Sequence, residues 1–187
     1  MKRLLTLFLT TIVLLTGCAD SRDGMNGFVA FRDKMLKGNG YSFETTVTVD
    51  YGNSFSSFDL VCKTDDVGDM ALTVTNPDSI SGISCKISGG KGQLTFDDKA
   101  VAFEMLANGQ ITPISAPWLF IKALRGGYIS SCSDGEMEAI IRIDDSFGDV
   151  PFSVDVRVDE TFLPKAAEII WNGKRIVSME ISSFIIV

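Results

Sequence analysis

The sequence contains no histidine, and this absence narrows the chemistry that the chain can perform. Histidine is the usual general base of serine and cysteine hydrolases and the commonest protein ligand of metal ions. The sequence also lacks a G-x-S-x-G nucleophile elbow, a phosphate-binding glycine loop and a calcium-loop pattern. It therefore predicts a protein that is not an enzyme and that holds no metal and no other cofactor.

Positive charge is scarce as well. The chain has 17 Lys and Arg against 24 Asp and Glu, a net charge of −7. Nucleic-acid binding needs a basic surface, so nucleic acid is excluded as a partner. If Lys2 and Arg3 belong to a cleaved leader, 15 cations face 24 anions and the mature charge is −9. An anionic membrane repels such a domain, so membrane attachment would have to come from lipid.

Long hydrophobic runs are absent except at the start of the chain. Residues 4–15 form an apolar run behind Lys2 and Arg3, too short for a membrane-spanning helix but typical of a secretory signal peptide. It ends in Leu15-Thr16-Gly17-Cys18, which resembles the lipobox of bacterial lipoproteins.

The lipobox resemblance implies cleavage before Cys18, a diacylglyceryl group on its sulfur and acylation of its amine. We therefore expect three parts: a signal peptide at 1–17, a lipidated cysteine and tether at 18–26, and one domain at 27–187. The protein is expected to be anchored by the lipid on Cys18 at the extracytoplasmic face of the cell membrane.

Three further cysteines, an odd number, remain for the domain. Cys62 and Cys85 occupy apolar positions of predicted strands, while Cys132 is the last residue of a short predicted strand. Small buried thiols are the favoured interpretation for the first two. A disulfide between them stays open, and would need Cα atoms within about 7 Å.

Hydrophobic periodicity predicts a mainly β domain. From residue 41 to residue 51 apolar or aromatic side chains alternate with polar ones, which indicates a half-buried strand. Similar segments follow along the chain, and Asn172-Gly173 is a strong hairpin signal. We count ten or eleven strands without a βαβ rhythm, so the sheet should be a single antiparallel and curled one.

Two helices interrupt this pattern. The first is predicted from Gly27 to Lys37 with Asn26 as its cap and with Arg32 facing away from the core. Its apolar stripe comprises Phe28, Phe31, Met35 and Leu36. The second, over 115–124, is apolar almost all round and should be buried in the concave face of the sheet.

Several segments together resemble the LolA-like lipoproteins. They are the long strand at 41–50, the Pro-x-x-Ile-x-Gly-Ile step at 77–83, the Ala-Pro-Trp-Leu-Phe helix at 116–120 and the Leu-Pro pair at 163–164 before Glu-Ile-Ile-Trp. The family includes the periplasmic lipoprotein carrier, its outer-membrane receptor and Gram-positive lipoproteins, one of which partners a cell-wall amidase. The resemblance implies an incomplete barrel, lidded by helices over an apolar cavity.

Candidate site residues follow from the apolar face of the sheet and the second helix. These aromatic side chains either line a ligand cavity or fill the core, and for aromatic residues the core is the commoner outcome. The candidates are Tyr41, Phe43, Phe58, Phe103, Trp118 and Phe120. Three carboxylate pairs, at 65–66, 97–98 and 144–145, are predicted to sit at turns rather than at a catalytic site.

The sequence thus favours a membrane-anchored lipoprotein that binds a lipid, an acyl chain or a lipoprotein without catalysis. The alternative is a cell-surface interaction module that positions or stabilises a cell-wall enzyme.

Overall fold

The computed structural model describes residues 20–50, 55–107, 110–135 and 138–187. The predicted signal peptide at 1–17 and the predicted lipidation site Cys18 lie outside these ranges. Among the helices that are described, none is both long enough and apolar enough to cross a membrane.

Within the described ranges, eleven strands form one antiparallel sheet. They are β1 (Gly40–Asp50), β2 (Phe55–Asp65), β3 (Met70–Asn76), β4 (Ser84–Ser88), β5 (Lys91–Phe96), β6 (Lys99–Phe103), β9 (Tyr128–Asp134), β10 (Ala139–Phe147), β11 (Val150–Val158), β12 (Pro164–Trp171) and β13 (Lys174–Ile186). A separate ribbon pairs β7 (Leu106–Ala107) with β8 (Gln110–Ile111). The order in the sheet is β6-β5-β4-β3-β2-β1-β13-β12-β11-β10-β9. The predicted open sheet is confirmed, since β6 and β9 are its two edges and do not pair with each other.

The inner face of the sheet carries the core. Along β1, Tyr41, Phe43, Val47 and Val49 are buried, while Glu44 on the other face is exposed. Strand side chains alternate between faces, so this one strand fixes which face meets the helices. The inward side chains of the neighbouring strands join the same cluster, together with both helices.

The first helix, α1 (Asp20–Lys37), is longer than predicted. Residues 20–26 are helical, although their polar composition and Gly24 suggested a tether. Gly27 meets the ring of Phe162 so closely that an added Cβ would lie 2.1 Å from it. Close helix packing therefore outweighs the low helix propensity of glycine. Phe28, Phe31 and Met35 are buried as predicted, but Leu36 is 53% exposed.

The second helix, α2 (Ala116–Gly126), is buried as predicted. Ser115 precedes it without capping it through its side chain, because its hydroxyl donates instead to the carbonyl of Thr112 at 2.7 Å. The polar side chains of α2 reach in two directions. Lys122 Nζ donates to both oxygens of Asp145 in β10, at 2.6 and 2.7 Å, and Arg125 Nη2 donates to the carbonyl of Asp66 at 2.8 Å. The helix therefore links β10 with the turn between β2 and β3.

Candidate functional site

An apolar cavity of about 200 Å³ lies between the inner face of the sheet and the loop that leads into α2. All eight side chains that line it are apolar. They are Phe58, Leu60, Val74, Ile80, Ile83, Leu94, Pro113 and Ile114. Such a surface offers burial of apolar groups and no side-chain hydrogen bond.

Strand register builds the floor of this cavity. Leu60 of β2 lies opposite Val74 of β3, and both are almost completely buried. Phe58 is two residues from Leu60 and shares its face. Leu94 of β5 lies opposite Cys85 of β4 on that same inner face. The floor therefore follows directly from alternation along neighbouring strands.

A tight turn between β3 and β4 supplies the wall. The amide of Val74 donates to the carbonyl of Ile83, and the amide of Gly82 donates back to the carbonyl of Val74, both at 2.9 Å. Gly82 has φ of +86°, a backbone conformation that favours glycine. These bonds fold the turn back on its own strand, so Ile80 and Ile83 meet Val74 at the cavity.

The cavity is open to the surface, and Leu94 of β5 is one of the lining residues that stay partly exposed. Of its eight lining residues, all but Leu60 and Val74 are only partly buried. Two more apolar side chains share the face of Leu94: Phe96, which is 50% exposed, and Val101, which is 63% exposed. The opening is therefore bordered by apolar surface that the domain leaves uncovered.

The six predicted residues do not meet at one place. Phe58 lines the cavity. Tyr41, Phe43 and Phe120 lie in the closed core, where Phe43 packs edge-to-face on Phe120 with ring centroids 6.0 Å apart. Phe184 of β13 stacks on Phe43 at 5.6 Å and on Tyr41 at 6.3 Å. Tyr41, Phe43 and Phe120 therefore have protein partners. Contact with a ligand remains a prediction for all six residues.

The remaining two predicted residues pack at other points. Trp118 stands edge-on to Phe147 with centroids 5.7 Å apart, and its indole N–H donates to the carbonyl of Gly68 at 3.1 Å. The ring of Phe103 in β6 covers Gly92 of β5, where an added Cβ would lie 2.0 Å from the ring. Neither residue is among the cavity lining.

Seven lining residues other than Phe58 were not among the predicted site residues. Leu60 and Val74 occupy apolar positions of alternating segments in the sequence, so a signal for this part of the floor was present. Ile114 has no comparable signal, because its position depends on how the chain returns over the sheet before α2.

The thiols beside this face are poorly suited to nucleophilic chemistry. Cys62 and Cys85 are both buried and unbridged, which confirms the favoured interpretation. Burial raises the pKa of the Cys62 thiol well above its usual range, and the neighbouring Cys85 raises it further. Burial raises the pKa of Cys85 to about 12, against a small lowering by the backbone N–H of Gln93. Thiolate is the nucleophilic form, so both groups are inert at neutral pH.

The carboxylate pairs follow the prediction only in part. Asp97 and Asp98 form the turn between β5 and β6, with φ of +48° and +58°. Asp65 accepts the amides of the turn that follows β2. The pair at 144–145 is inside β10, so its assignment to a turn was wrong. Its charges are tolerated because each has a partner: Asp144 accepts the hydroxyl of Ser153 at 2.7 Å, and Asp145 binds Lys122. Across the parts of the chain that are described, no cluster of three or more potential ligands could hold a metal.

An open antiparallel sheet with two helices against its concave face is the architecture that the sequence resemblance implied. The fold is LolA-like. No protein-family model matches the chain, and no curated protein matches it either.

Several solved structures resemble this domain at low identity. The alignment with a LolA superfamily protein from Nitrosomonas europaea covers 90% of this chain and 94% of that protein, at 9% identity and a TM-score of 0.47. The lipoprotein LppX of Mycobacterium tuberculosis covers 85% and 94%, at 12% identity and a TM-score of 0.38. LprF of Mycobacterium bovis covers 88% and 93%, at 10% identity and a TM-score of 0.41. No functional residue is carried over at this distance.

Proposed function

We propose that this protein is a membrane-anchored, extracytoplasmic lipoprotein whose domain binds an acyl chain or a similar apolar group without catalysis. One observation carries the proposal, the cavity lined by eight apolar side chains and open at an apolar border. Each methylene transferred from water into such a surface contributes about 0.8 kcal/mol. Binding would therefore be driven by burial.

The size of the cavity limits what it takes. At about 200 Å³ it is smaller than the roughly 300–1,000 Å³ of pockets for drug-sized ligands. It therefore accommodates part of one chain, while the rest of the ligand stays at the opening. A lipoprotein with several acyl chains would have to present one of them at a time.

Lipid on Cys18 would hold the domain close to a membrane. The helix α1 begins at Asp20, so only Ala19 separates it from the predicted lipidated residue. Two or more acyl chains anchor a protein stably, whereas one gives marginal binding. Cys18→Ala should therefore release the protein from the membrane or leave it uncleaved. If the variant fractionates like the wild type, and neither protein carries a lipid increment in its mature mass, the anchor is refuted.

A non-catalytic role agrees with the chemistry around the cavity. Its lining offers no titratable side chain, and the nearby thiols of Cys62 and Cys85 are held in the protonated form. Hydrolytic activity that co-purifies with the homogeneous protein, and that a cavity-filling variant abolishes, would contradict this part of the proposal.

The binding test uses the full-length chain held in amphipol and a fluorescent fatty acid. Leu94→Trp fills the cavity from β5, whereas Thr95→Trp adds the same side chain on the opposite, exposed face of that strand. We expect saturable binding to the wild type and to Thr95→Trp, and loss of binding in Leu94→Trp. Absence of binding to the wild type, or equal binding to both variants, would refute a ligand site in this cavity.

A second function, a cell-surface module for a protein partner, is favoured by the edge strand β6. Four of its five residues are exposed, and an edge strand presents unpaired backbone groups to another chain. A partner that co-purifies with the wild type, and is lost when Ala100→Pro removes a β6 amide, would support this function. Equal recovery with both proteins would contradict it.

A further inference from the structure

Lys99 lies on the cavity face of the sheet, near the cavity-lining Leu94. In the β5–β6 hairpin Leu94 pairs with Val101, and Phe96 pairs with Lys99. Lys99 is therefore the diagonal neighbour of the cavity-lining Leu94, about 7–8 Å away and within reach of a long side chain. Side chains in register share a face, so the stem of Lys99 leaves the sheet on the cavity side.

Lys99 has no ion-pair partner among the carboxylates of the described residues. Its exposed position suits an ammonium that stays in water while its stem covers apolar surface. The charge is therefore available to a group that arrives from solution.

Apolar surface connects the cavity to this charge. Val101 lies beside Leu94 and Phe96 lies beyond Leu94 toward the turn, on the same face, and both are at least half exposed. A chain that leaves the cavity past Leu94 would cover both side chains. Its end would then arrive beside Lys99.

We propose that the cavity takes a single-chain amphiphile with an anionic head group, with the chain in the cavity and the head group on the ammonium of Lys99. This inference rests on the proposed function. The shared chemistry is one alkyl chain that ends in a carboxylate or a phosphate. A contact ion pair with Lys99 would distinguish such ligands from alcohols and amines of the same length.

Nearby acids oppose this preference. Asp97 and Asp98 form the turn between Phe96 and Lys99, and Asp98 directly precedes Lys99 in sequence. Both carboxylates are exposed, so water and salt screen part of their repulsion of the head group, whereas the contact with Lys99 is direct. The acids, with the net charge of −7, make the preference modest.

Lysine on an edge strand also has a simpler role, which is to discourage association between sheet edges. That role predicts a change of oligomeric state when the charge is removed. It predicts no difference between charged and uncharged ligands, so the two roles can be separated by experiment.

The test measures displacement of a fluorescent fatty acid from the full-length chain in amphipol by laurate, lauryl phosphate, lauryl alcohol and laurylamine. Lys99→Met should weaken laurate and lauryl phosphate about two- to fivefold, the range of an exposed ion pair, and leave the alcohol unchanged. Lys99→Arg should restore the affinity for laurate and lauryl phosphate. Lys86→Met, on the exposed outer face of β4, should leave the affinities of all four ligands unchanged.

Three outcomes would overturn the inference. They are an equal loss for anion and alcohol in Lys99→Met, no loss at all, or tighter binding of laurylamine than of laurate to the wild type. If one of these outcomes is found while lauryl alcohol still displaces the probe from the wild type and the variants, the proposed function stands and the role of Lys99 is refuted. If no ligand displaces the probe from the wild type, the proposed function fails as well. A difference between laurate and lauryl phosphate shows which anion the site prefers.

Discussion

Arg32 of α1 caps the end of α2 through the carbonyl of Leu124, to which its Nε donates at 2.7 Å. The same guanidinium donates to the carbonyls of Gly127 at 2.9 Å and Ala123 at 3.3 Å. The last carbonyls of a helix have no partner within the helix, and cations stabilise that end. The sequence pattern had placed Arg32 away from the core, which was wrong, because α1 packs against a second helix on that side.

We expect Arg32→Ala to lower the free energy of unfolding by about 1.5–3 kcal/mol, the range for hydrogen bonds to a charged group. Urea denaturation would measure the change. Lys34→Ala, at an exposed position of the same helix, is the matched control and should change it by less than about 0.5 kcal/mol. An equal, small effect of both substitutions would show that the cap contributes little.

The hydroxyl of Thr45 is buried without a hydrogen-bond partner among the described residues, and the residue is only 3% exposed. Its neighbours in register on the inner face are Leu60 and Ile181. A buried hydroxyl without a partner costs free energy, so Thr45→Val should raise the free energy of unfolding by about 1 kcal/mol.

Thr46→Val provides the contrast for this prediction. Thr46 lies on the outer face and its hydroxyl donates to Asp59 at 2.8 Å, so its loss should destabilise the protein. Thermal or urea unfolding of the two variants would give changes of opposite sign. Destabilisation by Thr45→Val would show that its hydroxyl has a partner in solution.

How much of the fold could be predicted depends on how local its determinants are. Asn172 and Gly173 have φ of +50° and +72°, as their dipeptide predicts for a tight hairpin, and β1 follows its alternation. The start of α1 was missed because the segment before Asn26 is polar and contains Gly24, a local pattern that favours a tether.

The candidate site shows the same limit. Periodicity assigns Tyr41 and Phe58 to the apolar face of their strands, but it does not say how far along the sheet each one lies. Only contacts formed in three dimensions decide this. Phe184 closes the core over Tyr41, whereas nothing among the described residues fills the space beside Phe58 and Leu94.

Asp159 gives a pH dependence with a defined sign. Burial opposes its charged form, but hydrogen bonds from the hydroxyl of Thr161, from Lys165 and from the amides of Leu163 and Thr161 outweigh this and lower its pKa. A carboxyl whose folded pKa is lowered adds stability above its unfolded pKa, near 3.9. That contribution is lost as the pH falls through the folded value.

We therefore expect Asp159→Asn to lower the free energy of unfolding by roughly 1–2 kcal/mol at neutral pH, with the difference from the wild type shrinking below about pH 4. Urea denaturation at a series of pH values would measure it. Asp98→Asn, in an exposed turn that asparagine tolerates, is the control and should change the free energy of unfolding little at neutral pH. A difference that is constant with pH would contradict the assignment.

Cys62 and Cys85 should remain reduced thiols in the folded protein. Both pair in register with Leu72 of β3, which lies between them, so they are two strands apart. At about 4.8 Å per strand their Cα atoms are separated by roughly 9–10 Å, beyond the limit of about 7 Å for a disulfide. Because both thiols are buried and protonated, they should react with a thiol reagent only after unfolding. Labelling in buffer and in urea, followed by mass spectrometry of the peptides, would test this. A linked peptide pair that contains both cysteines, with a mass two hydrogens below the sum of the two reduced peptides, would show a disulfide. Such a disulfide would require a different register of β2, β3 and β4.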